Sequence, residues 1–156
     1  MSTVLLATDG SDLASTAMAK GVALLGRDHR FVTLAVVPPV FVPTASTSPM
    51  DTHPTLVDTE LEHELEAKQR AVQDTEIHEL DAVLDIRAEH LVEIGEPGPM
   101  ICDVAERVGA DIIVIGSHGH GWFQRVLMGS VSTHVLHHAH CPVLVIRTEE
   151  AADQDD

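Results

Sequence analysis

The chain has 156 residues, of which 44% are hydrophobic, and 9 basic against 25 acidic side chains give it a formal net charge of −16. This length suits a single domain with a hydrophobic core of ordinary size. Nucleic-acid backbones and anionic membrane surfaces bind basic patches, so a chain this acidic is expected to have neither as a partner.

The first residues and the two cysteines indicate the cellular compartment. The segment after Met1 has no basic stretch and no apolar run approaching 18 residues, so we expect no signal peptide and a cytoplasmic protein. Cys102 and Cys141 have neither the spacing of a metal site nor a disulfide-rich context. We therefore interpret both as buried structural thiols.

The first predicted strand covers residues 4–7, a continuous apolar run typical of parallel strands that are covered on both faces. A turn at residues 8–11 follows, and Ser11 or Asp12 can cap a helix that stops at Gly26. Asp9 follows the carboxyl end of this strand. Taken by itself, it is interpreted as a turn residue or a helix cap.

A second strand is predicted over residues 31–37, because β-branched residues are frequent in it and the prolines that follow cannot continue a sheet. Residues 38–55 are rich in proline and form a long connection, which we interpret as a flap near a site. A long acidic helix is predicted over residues 56–84. The positions expected to face inward, opposite a solvated charged face, are Leu61, Leu65, Val72, Ile77, Leu80 and Leu84.

The rest of the chain continues the alternation of strands and helices. Strand three (86–94) has polar residues at alternate positions, so we expect it at an edge of the sheet. A helix with Pro99 near its first turn ends at Gly109, and it is followed by strand four (111–115), a helix (131–139) and strand five (143–146). Five strands alternating with four helices predict a doubly wound α/β domain, with a parallel sheet and helices on both faces.

The loop over residues 116–132 has the features of an anion site. It joins the carboxyl end of strand four to the start of a helix, where free N–H groups and the positive end of the helix dipole attract anions. Gly116, Gly119 and Gly129 let the backbone approach a ligand closely. Ser130 is interpreted as the N-cap, with a hydroxyl available to a phosphate oxygen.

Two common phosphate-binding motifs do not fit this loop. A P-loop requires Gly, four residues and then Gly-Lys followed by Ser or Thr, but the loop contains no lysine. The dinucleotide-binding fingerprint requires a glycine three residues after Gly121, where Gln124 stands. The spacing is instead Gly, two residues, Gly, nine residues and Gly-Ser.

This spacing resembles the nucleotide-binding loop of the universal stress protein family, in its ATP-binding branch. The resemblance extends from residues 116–119 through 127–132 to the ending Cys-Pro-Val-Leu-Val-Ile at 141–146, and it covers the chain except for its acidic tail. It implies one universal stress protein domain over residues 1–148, with an adenine nucleotide alpha hydrolase-like fold and the strand order 3-2-1-4-5. We expect residues 149–156 to be disordered.

The resemblance also implies which residues hold ATP. Asp9 would meet the adenosine part, the Val36 backbone would border the adenine, and His118 would lie close to the ribose or phosphates. The alternatives without a role in binding are that Val36 is a core valine and that His118 is a loop histidine without contact to a ligand. Arg125 either reaches a phosphate or covers the surface. The expected nucleotide-binding residues are Ala7, Thr8, Asp9, Val36, Gly116, Ser117, His118, Gly119, Arg125, Gly129, Ser130, Val131 and Ser132.

A divalent cation, Mg²⁺ or Mn²⁺, is expected to accompany ATP, since the acidity of the chain leaves the phosphates under-neutralised. The sequence shows no nucleophile elbow, no paired carboxylates at an obvious site and no lysine beside the phosphates. Any hydrolysis would then depend on a metal-bound water and would be slow. We expect an ATP-binding regulator in the stress response; the alternatives are a slow metal-dependent ATPase and a protein-interaction module that does not use nucleotide.

Four of the eleven histidines crowd residues 134–140. His134 and His138 lie four apart on a predicted helix, so they share a face and could occupy two positions of a metal ion. Two ligands rarely suffice. The favoured interpretation is an exposed helix face.

Strand five is expected at the other edge of the sheet. Its residues, 143–146, are continuously apolar and lack the charges and prolines that blunt an exposed edge. Antiparallel pairing of two copies would satisfy that edge, so we expect a homodimer through residues 143–147. The alternative is a monomer whose edge is shielded by the acidic tail, favoured at low salt by repulsion between the chains.

Overall fold

A computed structural model of the chain describes residues 1–40, 59–117 and 128–148. Strands and helices alternate along these residues, and each predicted element is present. In chain order they are β1 (Thr3–Thr8), α1 (Asp12–Leu25), β2 (Arg30–Val37), α2 (Thr59–Leu84), β3 (Ala88–Ile94), α3 (Pro97–Val108), β4 (Ile112–Gly116), α4 (Ser130–His138) and β5 (Val143–Ile146).

The five strands form one parallel sheet in the order β3-β2-β1-β4-β5. This confirms the predicted α/β class, the strand order and the edge positions of strands three and five. Ala7 of the central strand lies opposite Leu34 in β2 and Ile115 in β4. The carboxyl ends of these three strands are therefore level, and the loops that leave them meet above one edge of the sheet.

Side chains of the central strands alternate between two cores, because successive residues of a strand point to opposite faces. Leu5 and Ala7 join the core under α3 and α4, whereas Val4 and Leu6 join the core under α1 and α2. Both faces of the sheet are thus covered. This explains why the runs at 4–7 in β1 and 112–115 in β4 are apolar without interruption.

Helix boundaries follow the predicted capping residues at α1. The Ser11 Oγ accepts a hydrogen bond from Ala14 N at 3.1 Å, and Gly26, with φ +85°, ends the helix. Gly109, with φ +64°, ends α3 as predicted. Helix α3 begins at Pro97, two residues before the proline expected near its first turn, since either proline suits a first helical turn.

Helix α2 is buried along part of its length. Ile77, Leu80 and Leu84 lie in the interior, but Leu61 and Val72 are 40% and 56% exposed, so the prediction that these two face the core is wrong. A 26-residue helix spans about 39 Å, whereas the eight residues of β2 span about 26 Å. Helical spacing identifies a shared face but not how far the sheet extends beneath it.

Three predicted segments lie partly or wholly outside the described residues. They are the flap at 38–55, described only as far as Val40, the loop at 116–132, of which residues 118–127 are not described, and the acidic tail at 149–156. In the parts of the chain that the structure describes, no helix combines the length and the apolarity needed to cross a membrane.

Candidate functional site

A cavity of about 950 Å³ opens at the carboxyl ends of β1, β2 and β4. Its walls include ten of the thirteen residues expected to bind nucleotide, namely Ala7, Thr8, Asp9, Val36, Gly116, Ser117, Gly129, Ser130, Val131 and Ser132. His118, Gly119 and Arg125, the other three, lie outside the described residues. Residues from three strand ends and one helix start therefore converge as the topology predicts.

The turn after β1 is held by side chains that bond to its own backbone. Asp9 Oδ1 accepts from Ser11 N at 3.0 Å and from Ser11 Oγ at 2.6 Å, while Thr8 Oγ1 accepts from Gly10 N at 3.1 Å. Gly10 has φ +77°, a conformation that glycine adopts without strain. Asp9 thus acts as a turn residue, as its simpler interpretation predicts, and it also lines the cavity.

The two ends of the loop after β4 are joined by hydrogen bonds. Gly129 N donates to Ser117 O at 2.7 Å, and the buried Ser132 Oγ donates to Gly129 O at 3.0 Å and, more weakly, to Ser117 O at 3.3 Å. Ser117 N donates in turn to Ile146 O in β5 at 2.9 Å. The proton of the Ser132 hydroxyl therefore fixes the loop ends, and this residue positions the cavity wall.

The N-cap of α4 lies one residue earlier than predicted. Gly129, with φ −72° and ψ 162°, is the N-cap, and Ser130 is the first helical residue, so the interpretation of Ser130 as N-cap is wrong. The first intrahelical bond runs from Thr133 N to Gly129 O at 3.0 Å. The amides of Ser130, Val131 and Ser132 precede that bond, so they have no partner within the helix and form the positive end of its dipole.

One wall of the cavity consists of residues that the sequence patterns did not indicate. Helix α2 contributes Lys68, Gln69, Val72 and Gln73, and α3 contributes Pro97 and Ile101. The loop after β4 contains no lysine, but α2 brings Lys68 to the cavity wall. Its Nζ lies 2.8 Å from Glu64 Oε1 in an exposed ion pair, which is a weak interaction. Nothing in the sequence around Lys68 and Val72 indicates that they line a cavity, because their position depends on how α2 packs against the rest of the fold.

Helix α2 also touches the turn after β1. Glu76 Oε2 accepts from Gln73 Nε2 at 2.6 Å, and a Cβ added at Gly10 would lie 2.1 Å from the same oxygen. The rim of the cavity is therefore a contact between two elements, the β1–α1 turn and the middle of α2.

The histidines of α4 lie away from these walls. The rings of His134 and His138 stack with centroids 4.1 Å apart and planes at 18°, and His138 Nδ1 lies 2.8 Å from His134 O. Within the described ranges, no group of three or more His, Cys, Asp or Glu side chains is placed to hold a metal ion.

The chain is a doubly wound α/β domain with a cavity above the carboxyl ends of its strands and a helix N-terminus in the cavity wall, the place where domains of this class commonly bind small molecules. The sequence profile of the universal stress protein family matches residues 1–147. The chain belongs to this family.

Individual relatives match the chain to different extents. A putative universal stress protein of Staphylococcus epidermidis is 30% identical over 148 residues, which cover 94% of this chain and 84% of that protein. The universal stress protein Slr1101 of Synechocystis is 42% identical over 67 residues, 43% of this chain and 62% of that protein. Two further relatives, from Arabidopsis thaliana and Synechocystis, are matched over 37% and 36% of their length, so these local matches span less than two thirds of each relative.

Solved structures share the fold over nearly the whole chain. The universal stress protein UspA of Lactobacillus plantarum has a TM-score of 0.75 at 25% identity, covering 94% of this chain and 97% of that one. A universal stress protein in complex with cAMP has a TM-score of 0.64 at 19% identity, with coverage of 95% and 98%. An Arabidopsis thaliana family member with AMP bound has a TM-score of 0.56 at 21% identity, with coverage of 100% and 98%.

Proposed function

We propose that this chain binds an adenine nucleotide, ATP in the first place, in the cavity above β1, β2 and β4, and that occupancy of the cavity regulates a stress response. The observation that carries the proposal is the combination of two surfaces in one cavity. Apolar side chains of Leu34, Val36 and Ile115 line one part, and the N-terminal amides of α4 line another. A nucleotide has an apolar base and an anionic phosphate chain that match these two surfaces.

The size and polar groups of the cavity support this proposal. About 950 Å³ lies within the range of cavities that bind small molecules and cofactors. The amides at 130–132 suit phosphate oxygens, and Lys68 supplies a cation from the opposite wall. Asp9, at the end of β1, suits the hydroxyls of a ribose. The complexes of two family members with cAMP and AMP point to the same class of ligand.

Regulation is favoured over catalysis by the groups in the cavity. Asp9 is the sole carboxylate among the described lining residues, and two of its hydrogen bonds hold the neighbouring turn. A general base needs a free, positioned proton acceptor. A slow ATPase assisted by Mg²⁺ or Mn²⁺ is therefore the second candidate. EDTA should weaken ATP binding if the cation neutralises the phosphates, and unchanged affinity would show that Lys68 and the amides suffice.

Mass spectrometry of nucleotide released from freshly purified, denatured protein tests the proposal directly, and calorimetry with ATP locates the site. Gly129→Val places a branched side chain in the cavity wall at a φ that valine tolerates, so it should lower ATP affinity at least tenfold in a folded protein. His140→Val, an exposed change beyond the other end of α4, should leave affinity unchanged. Equal affinities for both variants would place the nucleotide elsewhere, and the absence of any bound nucleotide would favour the protein-interaction module.

We further propose that two copies pair through β5. This strand is an edge of the sheet, and Val143, Leu144 and Val145 are only half-buried within one chain. Antiparallel pairing about a two-fold axis would cover these side chains and satisfy the open backbone groups of the edge.

A further inference from the structure

A second polar cluster lies on the opposite edge of the sheet, between α2 and β3. It comprises His78 and Asp81 of α2, His90 of β3 and Thr33 of β2. His90 Nε2 lies 2.5 Å from Asp81 Oδ2, and the other carboxylate oxygen, Oδ1, accepts from Thr33 Oγ1 at 3.0 Å. Asp81 and Thr33 are buried, so this arrangement is built into the interior. The described lining of the proposed nucleotide cavity includes none of these four residues.

The partners of the two imidazoles determine where their protons lie. His78 Nδ1 is 2.7 Å from the backbone oxygen of Asp74, and His90 Nε2 faces the Asp81 carboxylate. Both partners only accept hydrogen bonds, so both of these ring nitrogens must carry a hydrogen. In neutral rings the remaining nitrogens, His78 Nε2 and His90 Nδ1, then carry lone pairs. These two nitrogens face each other at 3.2 Å.

Two lone pairs at this separation repel each other, and a positive species between them would remove the repulsion. One solution is a single shared proton, which gives the pair of rings a net charge of +1. The other is a metal ion. Tetrahedral coordination with Zn–N bonds of 2.0–2.1 Å places two ligand nitrogens about 3.3 Å apart, close to the separation between the His78 and His90 nitrogens.

We propose that His78 and His90 form a binding site for a divalent transition metal of the Zn²⁺ class, with water as the remaining ligands. The outer hydrogen bonds of both rings are those that metal-bound histidines make, one to a carboxylate and one to a backbone carbonyl. Neutral imidazole is a preferred ligand of zinc, copper and nickel. The negative charges of Asp81 and of Asp74, whose Oδ2 lies 3.9 Å from His78 Nδ1, favour a dication.

The surroundings suit an open site rather than a closed one. The His90 side chain is 18% exposed and is fixed by Asp81, whereas the His78 side chain is 60% exposed and faces solvent. The ring centroids are 4.1 Å apart, closer than the roughly 5 Å expected when two rings point at one ion. A small outward rotation of the exposed His78 ring provides that difference. Because two protein ligands rarely suffice for a tight site, we expect a Kd only on the order of micromolar, with the supporting hydrogen bonds of both rings distinguishing this pair from His134 and His138.

Calorimetry with ZnCl₂ in a non-chelating buffer tests the site on the full chain. We expect one strong equivalent of Zn²⁺ per chain, and His78→Gln should weaken it at least tenfold without harming the fold, because this side chain is exposed. Asp81→Asn keeps the shape of the supporting residue and should weaken binding by about 10- to 100-fold. The matched control is the double variant His134→Gln, His138→Gln. It removes a stacked histidine pair whose members lie four residues apart on α4, the spacing of a helical metal site, and it should leave the strongly bound equivalent of Zn²⁺ intact.

A second readout separates metal binding from the shared proton. Long-range ¹H–¹⁵N spectra of the zinc-loaded protein should show the proton on Nδ1 of His78 and on Nε2 of His90, with the other two nitrogens shifted by the metal. Circular dichroism confirms that each variant is folded. Unaltered zinc affinity in His78→Gln, loss of the strong equivalent in the control pair, or no saturable binding at 100 times the expected micromolar Kd would each overturn the proposal and leave a shared proton as the link between the rings.

Discussion

Single residues at the cavity hold its backbone as well as offering groups to a ligand. Asp9 bonds to Ser11, Gly129 N bonds to Ser117 O, and the Ser132 hydroxyl spans both ends of the loop. Substituting any of these residues changes the shape of the wall. Loss of nucleotide affinity in such a variant could therefore come from a changed wall or from a lost contact with the nucleotide. Substitution of the exposed Ser130 tests direct contact more cleanly.

The two serines at the start of α4 should differ in their effect on stability. Ser132→Ala removes a buried hydroxyl that donates to Gly129 O and Ser117 O, and should lower the free energy of unfolding by about 1 kcal/mol. Ser130→Ala, at an exposed position of the same helical turn, should change it by less than about 0.5 kcal/mol. Urea denaturation measures both. Equal costs would mean that the Ser132 bond does not secure the loop.

The two cysteines should react slowly with alkylating reagents at neutral pH. Burial raises the pKa of both thiols, and the neighbouring carboxylates of Asp103 at Cys102 and Asp111 at Cys141 raise it further. A raised pKa lowers the thiolate fraction at pH 7, so the rate should increase with pH along a curve displaced to higher pH than that of the unfolded chain. Iodoacetamide kinetics on Cys102→Ser and Cys141→Ser assign each rate. A folded-state curve at lower pH would contradict this expectation.

Helix α1 packs closely against β4 at Gly21. A Cβ added at Gly21 would lie 2.5 Å from Val114 Cγ1, a buried atom on a central strand that cannot move aside. Gly21→Ala should therefore cost about 1–3 kcal/mol of stability, although alanine is intrinsically favoured in a helix by about 1 kcal/mol. Val114→Ala should cost less when combined with Gly21→Ala than alone. Additive effects in urea denaturation would show that α1 shifts to accommodate the methyl group.

The sequence predicted best those elements whose hydrophobic pattern agrees with the turn or capping residues at their ends. In β1 and β4 continuous apolar runs are followed by turn residues, β2 is followed by two prolines, and α1 lies between a serine cap and a glycine stop. The start of α4 was misplaced by one residue, since serine and glycine are both acceptable caps.

The residues that line the cavity also include some that the sequence could predict and some that it could not. Residues next to strand ends could be predicted, because the topology brings the carboxyl ends of neighbouring parallel strands together. Lys68, Gln69 and Gln73 could not, since their place depends on how α2 crosses the sheet after a long connection. The His78–His90 pair depends in the same way on an approach between helix and strand that no local pattern records.

At the scale of the whole molecule, repulsion between two negatively charged chains opposes their pairing through the apolar edge strand β5. Each chain carries −16, while β5, paired only with β4 among the described residues, has half-buried valines at the edge of the sheet. Light scattering should show a dimer at micromolar protein and moderate salt, with dissociation favoured as salt is lowered. Val145→Lys should produce monomers at all salt concentrations, whereas Leu24→Lys, the same type of change on exposed α1, should not. A monomer mass for the unmodified chain at every salt concentration would refute the pairing.

The uneven burial of α2 implies that this helix does not open as one unit. Its last turns contain buried Ile77, Leu80 and Leu84, whereas the segment before residue 73 packs little and forms a cavity wall. Backbone amides at 63–72 should therefore exchange with deuterium much faster than those at 80–84, and a ligand that fills the cavity should slow the first group selectively. Mass spectrometry of peptides from the two halves measures this gradient. Uniform protection along α2 would mean that the cavity wall is held as firmly as the core. With a gradient that the ligand removes, the ordering of that wall contributes to the free energy of binding.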